Sequence, residues 1–119
     1  MTIKTLPHSD EAEKSVLGAI LIDKHAIIGV SEVLKPEDFY SDLHGIIYSA
    51  MLVLYEERQP IDLLTLTDQL KKNKQLKKID SVYLTDLVEE VPTAANVQTY
   101  AQIVKESSTK RFLIHAGVE

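Results

Sequence analysis

The chain has 119 residues, of which 45% are hydrophobic, no Cys, no Trp and a formal net charge of −5. This length fits one domain, and the composition calls for a core of Leu, Ile, Val and Ala. The missing Cys excludes disulfides, thiolate nucleophiles and Cys-rich zinc sites, and the acidic balance argues against the whole domain gripping nucleic acid by phosphate neutralisation.

Residues 1–9 read as a polar, flexible arm. The first helix is expected over Asp10–Ile22. Asp10 and Glu13 resemble a capping box, and Val16, Leu17, Ile20 and Leu21 form one apolar face. Gly18 and Ala19 are small and suit close packing of another helix. Asp23 is expected to cap a second helix, Lys24–Leu34. Pro36, Glu37 and Asp38 then open a short helical turn through Phe39 and Tyr40. A third helix follows over Asp42–Glu57, with Leu43, Ile46, Ile47, Ala50, Met51 and Leu54 at helical spacing. Gln59-Pro60 stops it.

Two further helices share one start signal. Ile61 precedes Asp62 with Leu66 four residues on, and Ile79 precedes Asp80 with Leu84 four residues on. Both fit an Asp cap with a hydrophobic staple. The earlier one ends in Lys71, Lys72, Asn73 and Lys74, and the later one before Pro92. The last helix starts at Asn96 or Val97 and runs towards His115, with Val97, Tyr100, Ala101 and Val104 as its apolar stripe. The stripe breaks over residues 106–111 and resumes at Phe112 and Leu113. The fold expected is all-α: a compact bundle of about six helices over residues 10–95, with a C-terminal helix, 96–119, that begins a helical hairpin or linker.

Catalytic chemistry is hard to find. There is no G-x-x-x-x-G-K-[ST] loop and no G-x-G-x-x-G. His8, His25, His44 and His115 have no partner at the spacing that metal binding on a helix face needs, so each reads as a cap or packing residue. The pairs Glu37–Asp38, Glu56–Glu57 and Glu89–Glu90 read as solvated surface or helix-end charge, because adjacent helical residues diverge. No nucleophile–base pair can be named, so the expected catalytic, cofactor and metal residues are none. Lys71, Lys72, Lys74, Lys77 and Lys78 form the one dense basic patch. It reads as nucleic-acid contact or as the solvated end of a helix, and no interleaved aromatic supports stacking on bases. A helix-turn-helix over 62–90 would present Asp86, Glu89 and Glu90 to DNA. Phe112 and Leu113 lie past the polar break. They read either as packing at the end of the bundle or as an apolar edge seeking a partner helix. The longest apolar run, Val16–Ile22, is too short for a bilayer, and the N-terminus lacks a secretory pattern.

Four segments together resemble the N-terminal domain of the bacterial replicative DNA helicase, the DnaB-type ring helicase. They are Leu6-Pro7 with EAEKSVLGAILID (11–23), LKPEDFY (34–40) with His44, AMLVLYEERQPIDLLTL (50–66) and VPTAANVQTYAQIVKE (91–106). One departure is Asp80-Ser81 before Val82-Tyr83-Leu84, where the family commonly carries Gly-Gly. The resemblance implies a non-catalytic assembly and docking domain, joined through the last helix to an absent motor domain that uses ATP and Mg. It implies pairing of these domains as dimers in a hexamer, binding of the primase C-terminal domain, contact with a helicase loader, and work at the fork in a bacterial cytoplasm. The 119-residue chain then reads as part of a longer protein. Val97, Tyr100, Val104, Phe112 and Leu113 are the candidate interface, and Gly18 and Ala19 the candidate close-packing pair. The alternative is a free-standing helical nucleic-acid-binding or adaptor domain.

Overall fold

The structure, a computed structural model, describes residues 6–75, 79–91 and 93–117. Among these it has six α-helices and no strand, which agrees with the all-α expectation. The helices are α1 (Asp10–Ile22), α2 (Ala26–Val33), α3 (Asp42–Glu56), α4 (Leu63–Lys72), α5 (Ser81–Glu90) and α6 (Val97–His115), with a 3-10 turn at Pro36–Asp38 between α2 and α3.

α1 is the central element. It packs against α2, α3, α5 and α6, and five consecutive residues, Val16 to Ile20, are buried. A helix covered on every side needs no polar face, so the single apolar stripe expected from the sequence understates its burial. Gly18 is where α5 comes closest. A Cβ there would lie 2.5 Å from Val91 Cγ2 and closer still to the Leu87 carbonyl.

The helix starts carry two corrections. The N-cap of α1 is Ser9, whose Oγ accepts from the Ala12 amide at 3.1 Å. Asp10 is already in the first turn, and Glu13 points inward, so the two form no capping box. α2 begins at Ala26 because Asp23 takes the His25 amide at 2.9 Å in a local turn, which delays the helix by two residues relative to Lys24. The two Asp-capped starts are as expected. Asp62 accepts from the Thr65 amide at 2.9 Å, and Asp80 from the Tyr83 amide at 2.8 Å. Ile61, Leu66, Ile79 and Leu84 are all buried.

The ends of α3 and α4 share one pattern. After α3, Arg58 has φ 58°, its amide donates to Tyr55 O at 3.1 Å and the Gln59 amide to Leu54 O at 2.8 Å. After α4, Lys74 has φ 60°, with Lys74 to Lys71 O at 3.0 Å and Gln75 to Leu70 O at 2.9 Å. Both are Schellman closures, which usually place Gly at the left-handed position.

α6 runs unbroken from Val97 to His115, so residues 106–111 interrupt an apolar pattern but not a helix. Val97, Ala101 and Val104 are buried in the common core, which makes the first half of α6 part of the bundle.

Candidate functional site

Helix α1 carries one charged residue on its inward side. Glu13 lies three and four residues before Val16 and Leu17, which places it on their face. It is 1% exposed. Its carboxylate accepts from the Tyr40 amide at 2.7 Å, from the Ser41 amide at 3.3 Å and from His44 Nδ1 at 2.7 Å. A carboxylate only accepts, so Nδ1 carries the proton in that bond. His44 Nε2 meets the Tyr83 hydroxyl at 2.6 Å. The chain Glu13–His44–Tyr83 therefore ties α1, the start of α3 and α5 together. Burial pushes the Glu13 carboxyl up, but the His44 bond, the two amides and the His44 charge outweigh it and hold it below its ordinary value. Burial pushes the Tyr83 phenol up, and the negative charges of Asp10, Glu90 and Glu13 add to that.

A second cluster lies beside the 3-10 turn. Asp38, expected with Glu37 to be solvated or helix-end charge, does sit at the end of the turn but is buried. Its Oδ2 accepts from the Lys35 amide at 2.7 Å and from Lys105 Nζ at 3.3 Å, and its Oδ1 from the Ser108 hydroxyl at 2.7 Å. Arg111 donates to Pro7 O at 2.8 Å and to Asp38 O at 2.6 Å, and lies 5.6 Å from the Tyr40 ring centroid. The other face of this region is closed by His8, stacked 4.0 Å from Tyr40. Residues 6–9 are thus held against the body, contrary to the expected loose arm; residues 1–5 lie outside the described ones. Burial raises the Asp38 carboxyl, and the Lys35 amide, Ser108, the Lys105 hydrogen bond and the Lys105 charge together bring it below its ordinary value.

The candidate interface residues separate in space. Val97 and Val104 face the domain's own core, so they are corrected from exposed contact positions to core. Tyr100 packs half-buried beside them. Phe112 is 71% and Leu113 40% exposed, and Ile114 joins them at the end of α6. Phe112 also lines a groove of about 730 Å³ with Leu6, Phe39, Tyr40 and His115. Gly18 and Ala19 are both buried, and the close approach at Gly18 is to the end of α5 of the same chain.

Lys71, Lys72 and Lys74 are exposed at the end of α4, and Lys72 Nζ is 3.3 Å from Asp68. Lys77 and Lys78 lie outside the described residues. No group of three His, Cys, Asp or Glu among the described residues is placed to hold a metal, and the sequence has no phosphate loop. The described residues offer no site that fits ATP and Mg. No described helix is long and apolar enough to cross a membrane.

The sequence reading missed Glu13, His44, Asp38, Lys105, Ser108 and Arg111 as connected groups. A signal existed for two of the helices. Glu13 is a charge on an apolar stripe, and Val97, Ala101, Val104, Ser108 and Arg111 continue one four-three spacing along α6.

Residues 5–106 match the family model described as DnaB-like helicase N terminal domain. The replicative DNA helicase DnaB of Geobacillus stearothermophilus is 49% identical over 112 residues, covering 93% of this chain and 25% of that protein. The replicative DNA helicase DnaC of Bacillus subtilis is 48% identical over 112 residues, with the same coverage of 93% and 25%. The chain thus spans about a quarter of the length of these curated relatives. The crystal structure of the N-terminal domain of DnaB helicase from Mycobacterium tuberculosis superposes with a TM-score of 0.92 at 42% identity, covering 95% of this chain and 81% of that one. The N-terminal domain of DnaB helicase from Helicobacter pylori, described together with its interactions with primase, gives a TM-score of 0.77 at 31% identity, covering 89% and 83%.

Proposed function

The chain belongs to the DnaB-like helicase N-terminal domain family, and from that premise we propose that it is the non-catalytic assembly and primase-docking domain of a hexameric replicative helicase acting in a bacterial cytoplasm. The observation that carries this reading is the structural likeness to the Helicobacter pylori domain described with its primase interactions. Hydrolysis of ATP with Mg belongs, in this reading, to a motor domain elsewhere in the full-length protein. Self-association uses the exposed end of α6, where Phe112 and Leu113 stand out from the bundle. A helicase loader is a further partner of the same collar.

The test is calorimetric titration of the full-length hexamer with the primase C-terminal domain, beside ultracentrifugation of the 119-residue chain. The expected result is saturable primase binding by the hexamer and concentration-dependent self-association of the chain. The chain alone hydrolyses no ATP. A hexamer that unwinds DNA but takes up no primase would remove the docking role. The nucleic-acid-binding alternative requires binding of the chain to DNA that falls steeply with salt and weakens when Lys71, Lys72 and Lys74 become Glu.

A further inference from the structure

The inward face of α6 changes chemistry halfway along. Val97, Ala101 and Val104 are buried among apolar side chains. Beyond Val104 the same face continues as Lys105, Ser108 and Arg111, and Arg111 is the one buried residue of the outer half. Phe112, Leu113 and Ile114 are exposed. The outer half is therefore held by directional polar contacts, and these converge on one residue: Lys105 and Ser108 on the Asp38 carboxylate, Arg111 on the Asp38 carbonyl. Water can replace such bonds at small net cost, whereas it cannot replace apolar burial.

We propose that Asp38 is a latch that holds the outer half of α6, residues 105–115, against the body of the domain, and that this half is a two-position arm. Docked, the arm is aligned by Asp38 and by Arg111 on Pro7 O, over the Tyr40 ring. Released, it keeps its root in the core through Val97, Ala101 and Val104, and its tip leaves the 3-10 turn. Local opening of this kind lies below the free energy of global unfolding. The hinge falls between Val104 and Lys105, where the apolar anchoring stops. If the chain is the helicase collar proposed above, the arm carries it towards the motor domain, and the latch sets the angle of that exit; only this consequence rests on that reading.

The test is hydrogen exchange by mass spectrometry on the 119-residue chain, comparing peptides from α6 with peptides from α1 and α3. It uses the graded series Lys105→Ala, Ser108→Ala, Arg111→Gln and Asp38→Asn. A short helix without tertiary support is marginal in water, so a released arm loses protection. The expected result is exchange over 105–115 that rises in that order, by about tenfold or more for Asp38→Asn, with α1 and α3 unchanged. A paired spin label at Glu32→Cys and Lys110→Cys, in a chain with no native Cys, should show a second, separated distance in Asp38→Asn. No change over 105–115 in any variant overturns the latch. So does a rise shared equally by α1, α3 and α6 in the mild Lys105→Ala and Ser108→Ala variants, which would mean that the outer half has no motion of its own.

Discussion

The Glu13 carboxylate and the His44 ring meet at 2.7 Å with 1% and 2% of their surfaces exposed. This contact joins the centre of the bundle to the N-terminus of α3, and through Tyr83 to α5. The two amides of Tyr40 and Ser41 complete the carboxylate's coordination. Removing one partner strands the others away from water.

Glu13→Ala should therefore be among the most damaging single changes in the domain. Breaking a buried pair leaves an uncompensated group and costs about 3–5 kcal/mol. Denaturant unfolding of the chain followed by circular dichroism would measure it. Glu13→Gln keeps the shape and an acceptor and should cost less. Equal losses in the two variants would show that the charge, and not the packing of the side chain, is what Glu13 supplies.

The same carboxylates set the acid limit. Glu13 and Asp38 both titrate below their ordinary values in the folded chain. The unfolded chain takes up these protons near about pH 4, and the folded chain only at lower pH. The unfolded state thus binds more protons in that window, and stability falls as pH drops through it. Thermal unfolding between pH 7 and pH 2.5 should show this loss, with a shallower slope in Asp38→Asn.

At the alkaline end, Tyr48 gives the opposite slope. Its hydroxyl is fully buried and donates to Leu34 O at 2.9 Å. Burial raises this phenol well above its ordinary value, with the Asp38 charge adding to the effect. The stabilising contribution is complete below about pH 10, where tyrosine ordinarily ionises, and is lost as pH rises above it. Tyr48→Phe should cost about 1 kcal/mol at neutral pH and lessen the alkaline loss.

Gly18 should accept no side chain. Even Ala places its Cβ against the Leu87 carbonyl and Val91, and backbone cannot yield as a flexible side chain does. Gly18→Ala is expected to destabilise by about 1–3 kcal/mol, the usual cost of overpacking, although Ala is the better helix former. Chemical denaturation of this variant beside an exposed-site Ala control would separate the two effects.

Arg58 and Lys74 should behave in the reverse sense. Each holds a left-handed backbone, at φ 58° and 60°, in a position that Gly fills without Cβ strain. Arg58→Gly and Lys74→Gly are each expected to raise stability by about 0.5 kcal/mol, the strain relieved being partly offset by the greater freedom of Gly in the unfolded chain. A lowered melting temperature in both would show that their side chains contribute more than the backbone strain costs.

Much of the architecture was legible in the residues because its causes are local. Asp62 with Ile61 and Leu66, and Asp80 with Ile79 and Leu84, announce helix starts within five residues of chain. The apolar spacing of Asp42–Glu56 and Val97–Val104 fixes which face turns inward. The family resemblance was legible for the same reason, since ordered segments of this kind are properties of the string. The polar groups are different. Glu13 could be read as a cap, Asp38 as solvated or helix-end charge and residues 106–111 as a break, because a charged side chain's role depends on what stands opposite it. Glu13 and His44 are 31 residues apart, and Asp38 and Arg111 are 73 apart. Only the tertiary structure could bring them together, because burial makes an unpaired charge so costly that its partner must come from wherever in the chain the fold places one.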